Sequence, residues 1–449
     1  MSDLDFFEFA FSNIPILLTC MFVTTGLLYF SVRRFAFLGY LDPLHFYWTF
    51  TFGTAYGIVL AMFIGGHVSL YYVALLLSYA LTFLFFLRFS GRHGQQMYKW
   101  VVALLVPHGR GRGEFWIVLL IYICLAVFLI ASTGFGSSAE TNRFEQNRGL
   151  GAFVRVADAF RLFLVACIAV VCVERWRNGR RNYLTLVLGL GYVLLLVISS
   201  LLNGAKFAIL EGIYASIFAL GVYGYRLRLN FLKVGALFSV VLVFAVWILS
   251  KNLEGAGVDT QASGVYMPNT PMLYERLALR ILANADKYYL SLPNGVIEEL
   301  KTDSVFVQFI APLVSVTKMS EIVGYPINDY AVGRQALLYW YPDNTIAGGP
   351  TSHFDLFSYK YFGFFPGLVF AALMGWFLAS VAALGRLGRN QRPYYAALCA
   401  ALWVRSIAML LEPTVGLAYV LDIFLLFFVI NCIGVLLRFA SKGNVRVVA

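Results

Sequence analysis

IPILLTCMFVTTGLLYFSV, residues 14–32, carries no charged side chain and is closed by Arg33 and Arg34. A helix of about 20 apolar residues crosses the hydrocarbon core of a bilayer, and only a helix or a closed barrel satisfies every backbone N–H and C=O there. This stretch meets that length. The residues before it, MSDLDFFEF, are acidic where a cleavable leader is basic, so the run is expected to remain as a span. Ten further apolar runs begin near Phe46, Val68, Phe115, Ala152, Tyr183, Phe207, Val234, Tyr361, Tyr394 and Val415. The composition agrees. Of 449 residues 60% are hydrophobic and only 13% charged, where soluble domains carry about a quarter charged. The expected fold is all-α: a polytopic membrane protein of about eleven transmembrane helices.

Basic residues set the expected orientation. With the N-terminus outside and the C-terminus inside, the inner segments collect Arg33, Arg34, Arg88, Arg92, Lys99, Arg110 and Arg112. They also collect the cluster Arg175, Arg177, Arg180 and Arg181, then Arg226, Arg228, Lys233, Arg386, Arg389, Arg392 and the basic tail. Only Asp42, Glu114 and Glu174 oppose them on that side. The net charge of +11 thus reports topology, and nucleic-acid binding is not expected. The chain divides into three regions: 1–250 with helices one to eight, a large outer connection over 251–360, and 361–449 with the last three helices and an inner tail. A connection that long is usually functional. The six cysteines lie in apolar runs without CxxC spacing, and read as small buried hydrophobes.

Phosphate-loop, HExxH, GxSxG and Cys–His metal patterns are absent from the sequence. Asp3-Leu4-Asp5 is a lone DxD-like element in an N-terminus expected to be mobile, and no metal is expected. What remains is charge near the outer surface, where intramembrane ionisable groups are costly. In TPMLYERLALRILANADKYY (270–289), Arg276, Arg280 and Lys287 share a helical stripe beside an apolar face containing Leu277, Ile281 and Tyr288. Such a helix either attracts headgroups or cradles a lipid-linked diphosphate, since guanidinium forks match phosphate oxygens. Arg155, Asp158 and Arg161 open the fifth span with one positive charge in excess, as an ion triad or an anion site. Lys206 and Glu211 form a weaker pair, and Arg405 and Asp422, at equal depth on adjacent helices, read as a buried ion pair. Glu412, at the surface on the face of Arg405, is a reserve candidate.

The densest segment is LLYWYPDNTIAGGPTSHFDLFSYKYFGFFPG, residues 337–367. Pro342, Gly348, Gly349 and Pro350 impose irregular backbone at the membrane surface. Tyr339, Trp340 and Tyr341 offer flat faces for sugar stacking, or act as interfacial anchors. His353 and Asp355 are candidates for a proton acceptor, with either residue as the base, or else they cap a helix.

Within that segment, GGPTSHFDLFSYKYFGFFPG (348–367) resembles the O-antigen polymerase family, the Wzy-type oligosaccharide repeat unit polymerases. A Gly-rich outer loop, a Ser and an acidic residue, then an aromatic and a Phe-Gly pair opening a span carry the likeness. Phe354-Asp355, with Tyr359 displaced, stands where members commonly show a Gly-Glu-x-Tyr-like element. The resemblance implies a metal-independent, lipid-dependent membrane glycosyltransferase of GT-C-type architecture in the bacterial inner membrane, without cofactor. Its partners would be undecaprenyl-diphosphate-linked oligosaccharide donor and acceptor, membrane lipid, and a chain-length regulator. Arg155, Arg161, Arg276, Arg280 and Arg334 would hold the diphosphate, Tyr339, Trp340, Tyr341 and Tyr359 the sugars, and His353 or Asp355 would act as base. An O-antigen ligase shares this donor and fold logic. A lipid or polysaccharide-precursor transporter is the alternative of a different class.

Overall fold

The computed structural model describes residues 1–89, 94–134, 149–203, 207–225, 259–345, 348–389 and 392–445, with isolated positions between 235 and 254. Among the described residues the chain is helical, with no strand beyond an isolated bridge between Ser263 and Pro271. In order come α1 (Asp3–Ser12), α2 (Ile14–Val32), α3 (His45–Ile64), α4 (Leu70–Phe89), α5 (Gly94–Leu105) and α6 (Arg112–Thr133). They are followed by α7 (Gly151–Arg177), α8 (Tyr183–Asn203) and α9 (Phe207–Val222). The long connection contributes α10 (Met272–Leu282), α11 (Asp286–Ser291), α12 (Val305–Val314), α13 (Val332–Trp340) and α14 (Phe354–Phe362). The chain then closes with α15 (Phe364–Leu387), α16 (Pro393–Ile407) and α17 (Pro413–Val445).

Eight of the described helices are long and apolar enough to cross a membrane, and each falls on one of the runs read from the sequence. The runs from Tyr183 and Phe207 form the shorter apolar helices α8 and α9. Of the run from Val234 only isolated positions are described. The protein is a polytopic, membrane-embedded helical bundle. Burial separates the roles of its helices. Along the apolar window of α16 89% is buried, against 17% for α2, so α16 is the axis of the bundle and α2 a rim. On α2, Phe22 is 82% exposed, which in a bilayer means lipid contact. The same physics corrects the reading of the cysteines: Cys124 and Cys432 are exposed, because an apolar side chain in a membrane need not be covered by protein.

Small residues let the helices approach closely. On α15, Gly367, Ala371 and Gly375 recur every four residues. A Cβ on Gly375 would lie 2.4 Å from the Phe83 carbonyl oxygen of α4, and one on Gly367 2.5 Å from Tyr79 Oη. Tyr79 donates to the Gly363 carbonyl at 3.0 Å, so α4 and α15 run in the same direction. Gly57 of α3 is as tight against Met21 of α2, and Thr24 Oγ1 donates to the Gly53 carbonyl at 2.6 Å.

The long connection does not stay above the bundle. Gly363, at φ +72°, breaks the chain between α14 and α15 into a hairpin, so α14 descends into the helices from that turn. At its deep end Phe354 lies 5.4 Å from Phe83 and 6.2 Å from Trp48, ring to ring. Phe83 is thirteen residues into α4, about 20 Å from its start at a 1.5 Å rise per residue. Non-helical backbone at that level persists only inside protein. Accordingly Ser352 is 1% and His353 0% exposed. Pro342 and Gly349 of the irregular segment remain exposed, and it is its end, Ser352 and His353, that re-enters the helices.

Candidate functional site

The charged residues at the start of α7 form a closed layer across four helices. Arg155 Nε binds Asp422 of α17 at 2.5 Å, and its NH2 donates to the Leu313 carbonyl of α12. Arg161, 1% exposed, lies 3.0 Å from both Asp158 and Glu211 and also donates to the Ala208 carbonyl. Arg405 of α16 meets Asp158 at 3.3 Å and Glu211 at 3.6 Å, under the Tyr419 ring. Three arginines thus face three carboxylates. Two expectations are corrected. Arg405 and Asp422 do not pair, because Tyr419 takes the place on α17 that faces Arg405. Nor is there a surplus charge on Arg155 and Arg161 for an anion, because Asp422 and Glu211 supply the missing carboxylates. Lys206 lies outside the described residues.

The segment 270–289 is not one helix. A 3-10 turn over Ala283–Ala285 separates α10 from α11, and its tighter winding rotates Lys287 and Tyr288 off the stripe. Arg276 and Arg280 remain exposed and pair with no described residue. Lys287 departs from them: it is 4% exposed, donates to the Asn284 carbonyl at 2.7 Å and lies 3.2 Å from Asp286. Tyr288, expected on the apolar face, is fully buried.

Lys287 and Tyr288 are buried because they meet His353 and Asp355. Tyr288 Oη lies 2.8 Å from His353 Nδ1 and 2.8 Å from Asp355 Oδ2. Tyr56 of α3 donates to Asp355 Oδ2 at 2.7 Å, and the Leu356 N–H donates to Oδ1 at 2.8 Å. Lys287 Nζ is 3.3 Å from His353 Nε2. One assignment of protons satisfies every contact. Lys287 donates to Nε2, Nδ1–H donates to the Tyr288 oxygen, and the Tyr288 hydroxyl donates to Asp355. Burial, helped by the Lys287 charge, holds the His353 imidazole well below its usual range. Burial also raises the Asp355 carboxyl, against the opposing hydrogen bonds from Tyr56 and Tyr288. Phe52 stacks on the imidazole at 4.5 Å. It is presented by the π-helical turn His45–Phe52 at the start of α3. Tyr56 sits eight residues before the end of α3, about 12 Å below it. The cluster is a buried chain of hydrogen bonds from Lys287 through His353 and Tyr288 to Asp355 and Tyr56, along which a proton relay is chemically feasible.

Around this relay the other candidates are distributed unevenly. Arg334 is 5% exposed, with its guanidinium on Asp329 and the Gly348 and Asn344 carbonyls, so it clamps the Gly-rich loop. Gly333 beside it is required. A Cβ there would lie 2.2 Å from the Pro350 oxygen. Tyr339, exposed, donates to Glu299 at 2.9 Å, and Trp340 Nε1 donates to the Leu290 carbonyl at 2.9 Å. Tyr341 is half-buried. Tyr359 donates to Glu298 at 2.5 Å and touches Tyr71 Oη. Glu412, in the turn between α16 and α17, accepts the Ser352 N–H at 2.8 Å. Burial raises its carboxyl to about 7. The N-terminus is ordered as α1, with Asp5 in a capping box on Ser2, and Phe6 stacked on Tyr289 at 3.9 Å. Cavities of about 680 and 560 Å³ lie on helix surfaces away from the relay.

Tyr56 was not legible as a site residue from the sequence, whereas Lys287 was read in the cationic stripe and Tyr288 on the apolar face, so neither was expected beside His353 and Asp355. The one signal was Tyr56 itself, a hydroxyl within an apolar span that has to find a partner. No protein-family model, no curated protein and no solved structure matches this chain.

Proposed function

We propose that the protein is a bacterial inner-membrane glycosyltransferase that joins undecaprenyl-diphosphate-linked oligosaccharide units into a surface polysaccharide of the O-antigen type. In this reading the face carrying the long connection is periplasmic, the N-terminus is outside, and about eleven helices cross the membrane. The observation that carries it is the buried relay Lys287–His353–Tyr288–Asp355–Tyr56, built jointly by the long connection and α3.

Those groups define the chemistry. A hydroxyl of the acceptor sugar forms a new C–O bond at the anomeric carbon of the donor chain, and the bond from that carbon to the diphosphate breaks. The leaving diphosphate carries away the electron pair, and the hydroxyl proton passes to Asp355, with Tyr288 and His353 sharing it. Asp355 is favoured over His353 as the base because Lys287 occupies the Nε2 side of the imidazole. Arg276 and Arg280, exposed and unpaired among the described residues, are the cations left to bind the diphosphate. Arg155, Arg161 and Arg334 are fully engaged within the protein and take a structural part. His353 and Asp355 are fully enclosed in this structure, so the acceptor reaches Asp355 only through an opening that leaves Tyr288 of α11 beside it.

A strain lacking the chain tests the reading. Loss of a polymerase leaves single repeats on the lipid A core, whereas loss of a ligase leaves polymer on its lipid carrier. Restoring the chain with Arg276→Ala and Arg280→Ala together is expected to leave protein level intact and long polymer absent. Polymer of unchanged length would remove the two arginines from the diphosphate site.

A further inference from the structure

At the opposite end of α7 and α8 from the charge layer lies a groove of about 680 Å³ that the proposed reaction does not use. Cys172 and Val173 of α7 form one wall, and Leu186, Leu190 and Val193 of α8 the other. Its floor is Gly189, where a Cβ would meet nothing within 4 Å. The missing side chain therefore leaves open space and not a helix contact. At the mouth stand Trp176, Arg181 and Asn182.

Arg181 is the charged residue on the groove itself, and Arg175, Arg177 and Arg180 stand with it in one stretch of seven residues, preceded by the single acid Glu174, so the mouth is net positive. Two are fixed by neighbours: Arg175 donates to Thr185 and Asn182, and Arg177 lies over Tyr225. Arg181 lies over the Trp176 ring at 4.6 Å with its guanidinium exposed at the groove. From Asn182 to Val193 the wall runs eleven residues, about 16 Å, which is the depth of one leaflet of a 30 Å hydrocarbon core.

We infer that this groove holds one anionic glycerophospholipid, its phosphate on Arg181 and one acyl chain laid past Gly189 against Leu186, Leu190 and Val193. The occupant is an anionic lipid because a zwitterionic headgroup brings its own cation to a mouth already positive. Basic pockets between membrane helices recognise headgroups in this way. The site is independent of the glycosyltransferase reading.

Native mass spectrometry of the full-length protein tests it. The protein is equilibrated in detergent with equal amounts of phosphatidylglycerol and phosphatidylcholine of matched chains. Preferential retention of one phosphatidylglycerol is expected. Arg181→Gln should lower that preference roughly fivefold, the value of one arginine near an anionic headgroup. Gly189→Phe fills the groove and should abolish retention of either lipid. Equal retention of both lipids by the unaltered protein overturns the inference, as does displacement of the bound lipid by inorganic phosphate. If Gly189→Phe fails to fold, Arg181→Gln on its exposed turn decides alone, and an unchanged preference overturns the assignment.

Discussion

Glu412 and His353 lie on one short stretch of buried surface and respond to pH in opposite senses. The Glu412 carboxyl is raised from 4.5 to about 7 by burial, against the Ser352 N–H and the nearby Lys287 charge. The folded chain therefore keeps a proton that the unfolded chain releases. This favours folding fully below pH 4.5 and is lost as pH rises through 7. His353 is lowered, so its contribution is present above pH 6.5 and lost as pH falls. Comparing the protein with its Glu412→Gln variant cancels the His353 part. Between pH 5 and 8 the thermal midpoint in detergent should fall more steeply for the unaltered protein than for Glu412→Gln. Parallel profiles would show that Glu412 does not titrate there. His353 and Asp355 could be read from the sequence because Gly and Pro punctuate the chain just before them. Tyr288 could not, since helical periodicity placed it on an apolar face. Only the 3-10 turn at Ala283–Ala285 reveals that the face looks inward.

Among the helices, the sequence located the spans well and their pairings poorly. Run length and charge are properties of one segment, whereas the partner of a buried charge depends on which helices become neighbours. Equal depth suggested Arg405 with Asp422, but α7 and α9 intervene with Asp158 and Glu211. Arg155 then closes on Asp422 and, through the Leu313 carbonyl, ties α12 to the bundle. Removing one member of this largely buried pair strands the other charge. Asp422→Leu alone should therefore destabilise the protein by about 2–3 kcal/mol, below the ~3–5 kcal/mol of a fully enclosed pair. The double variant Arg155→Met, Asp422→Leu should recover most of that loss, because hydrophobic replacement of a whole pair is close to neutral. Unfolding in detergent measures both. Equal losses in single and double variants would mean that the pair is not the relevant interaction.

For the molecule as a whole, the fold brings the long connection down into the bundle, so that residues far apart in sequence share one buried relay. That re-entry was invisible in the sequence, where Gly363 reads as an ordinary start of a span. The orientation proposed here has a direct consequence. A cysteine replacing the exposed Lys318 should react with a membrane-impermeant maleimide on intact cells, and one replacing the exposed Lys99 only after permeabilisation. The reverse pattern would invert the topology and separate the relay from any periplasmic substrate. The relay itself is most directly tested by Asp355→Asn, which keeps the size and the Tyr56 and Tyr288 neighbours of Asp355 but cannot take up a proton. Expressed at normal level in the deletion strain, Asp355→Asn is predicted to yield lipid A core carrying single repeats and no long polymer; a polymer ladder of normal length would contradict the assignment of Asp355 as the proton acceptor.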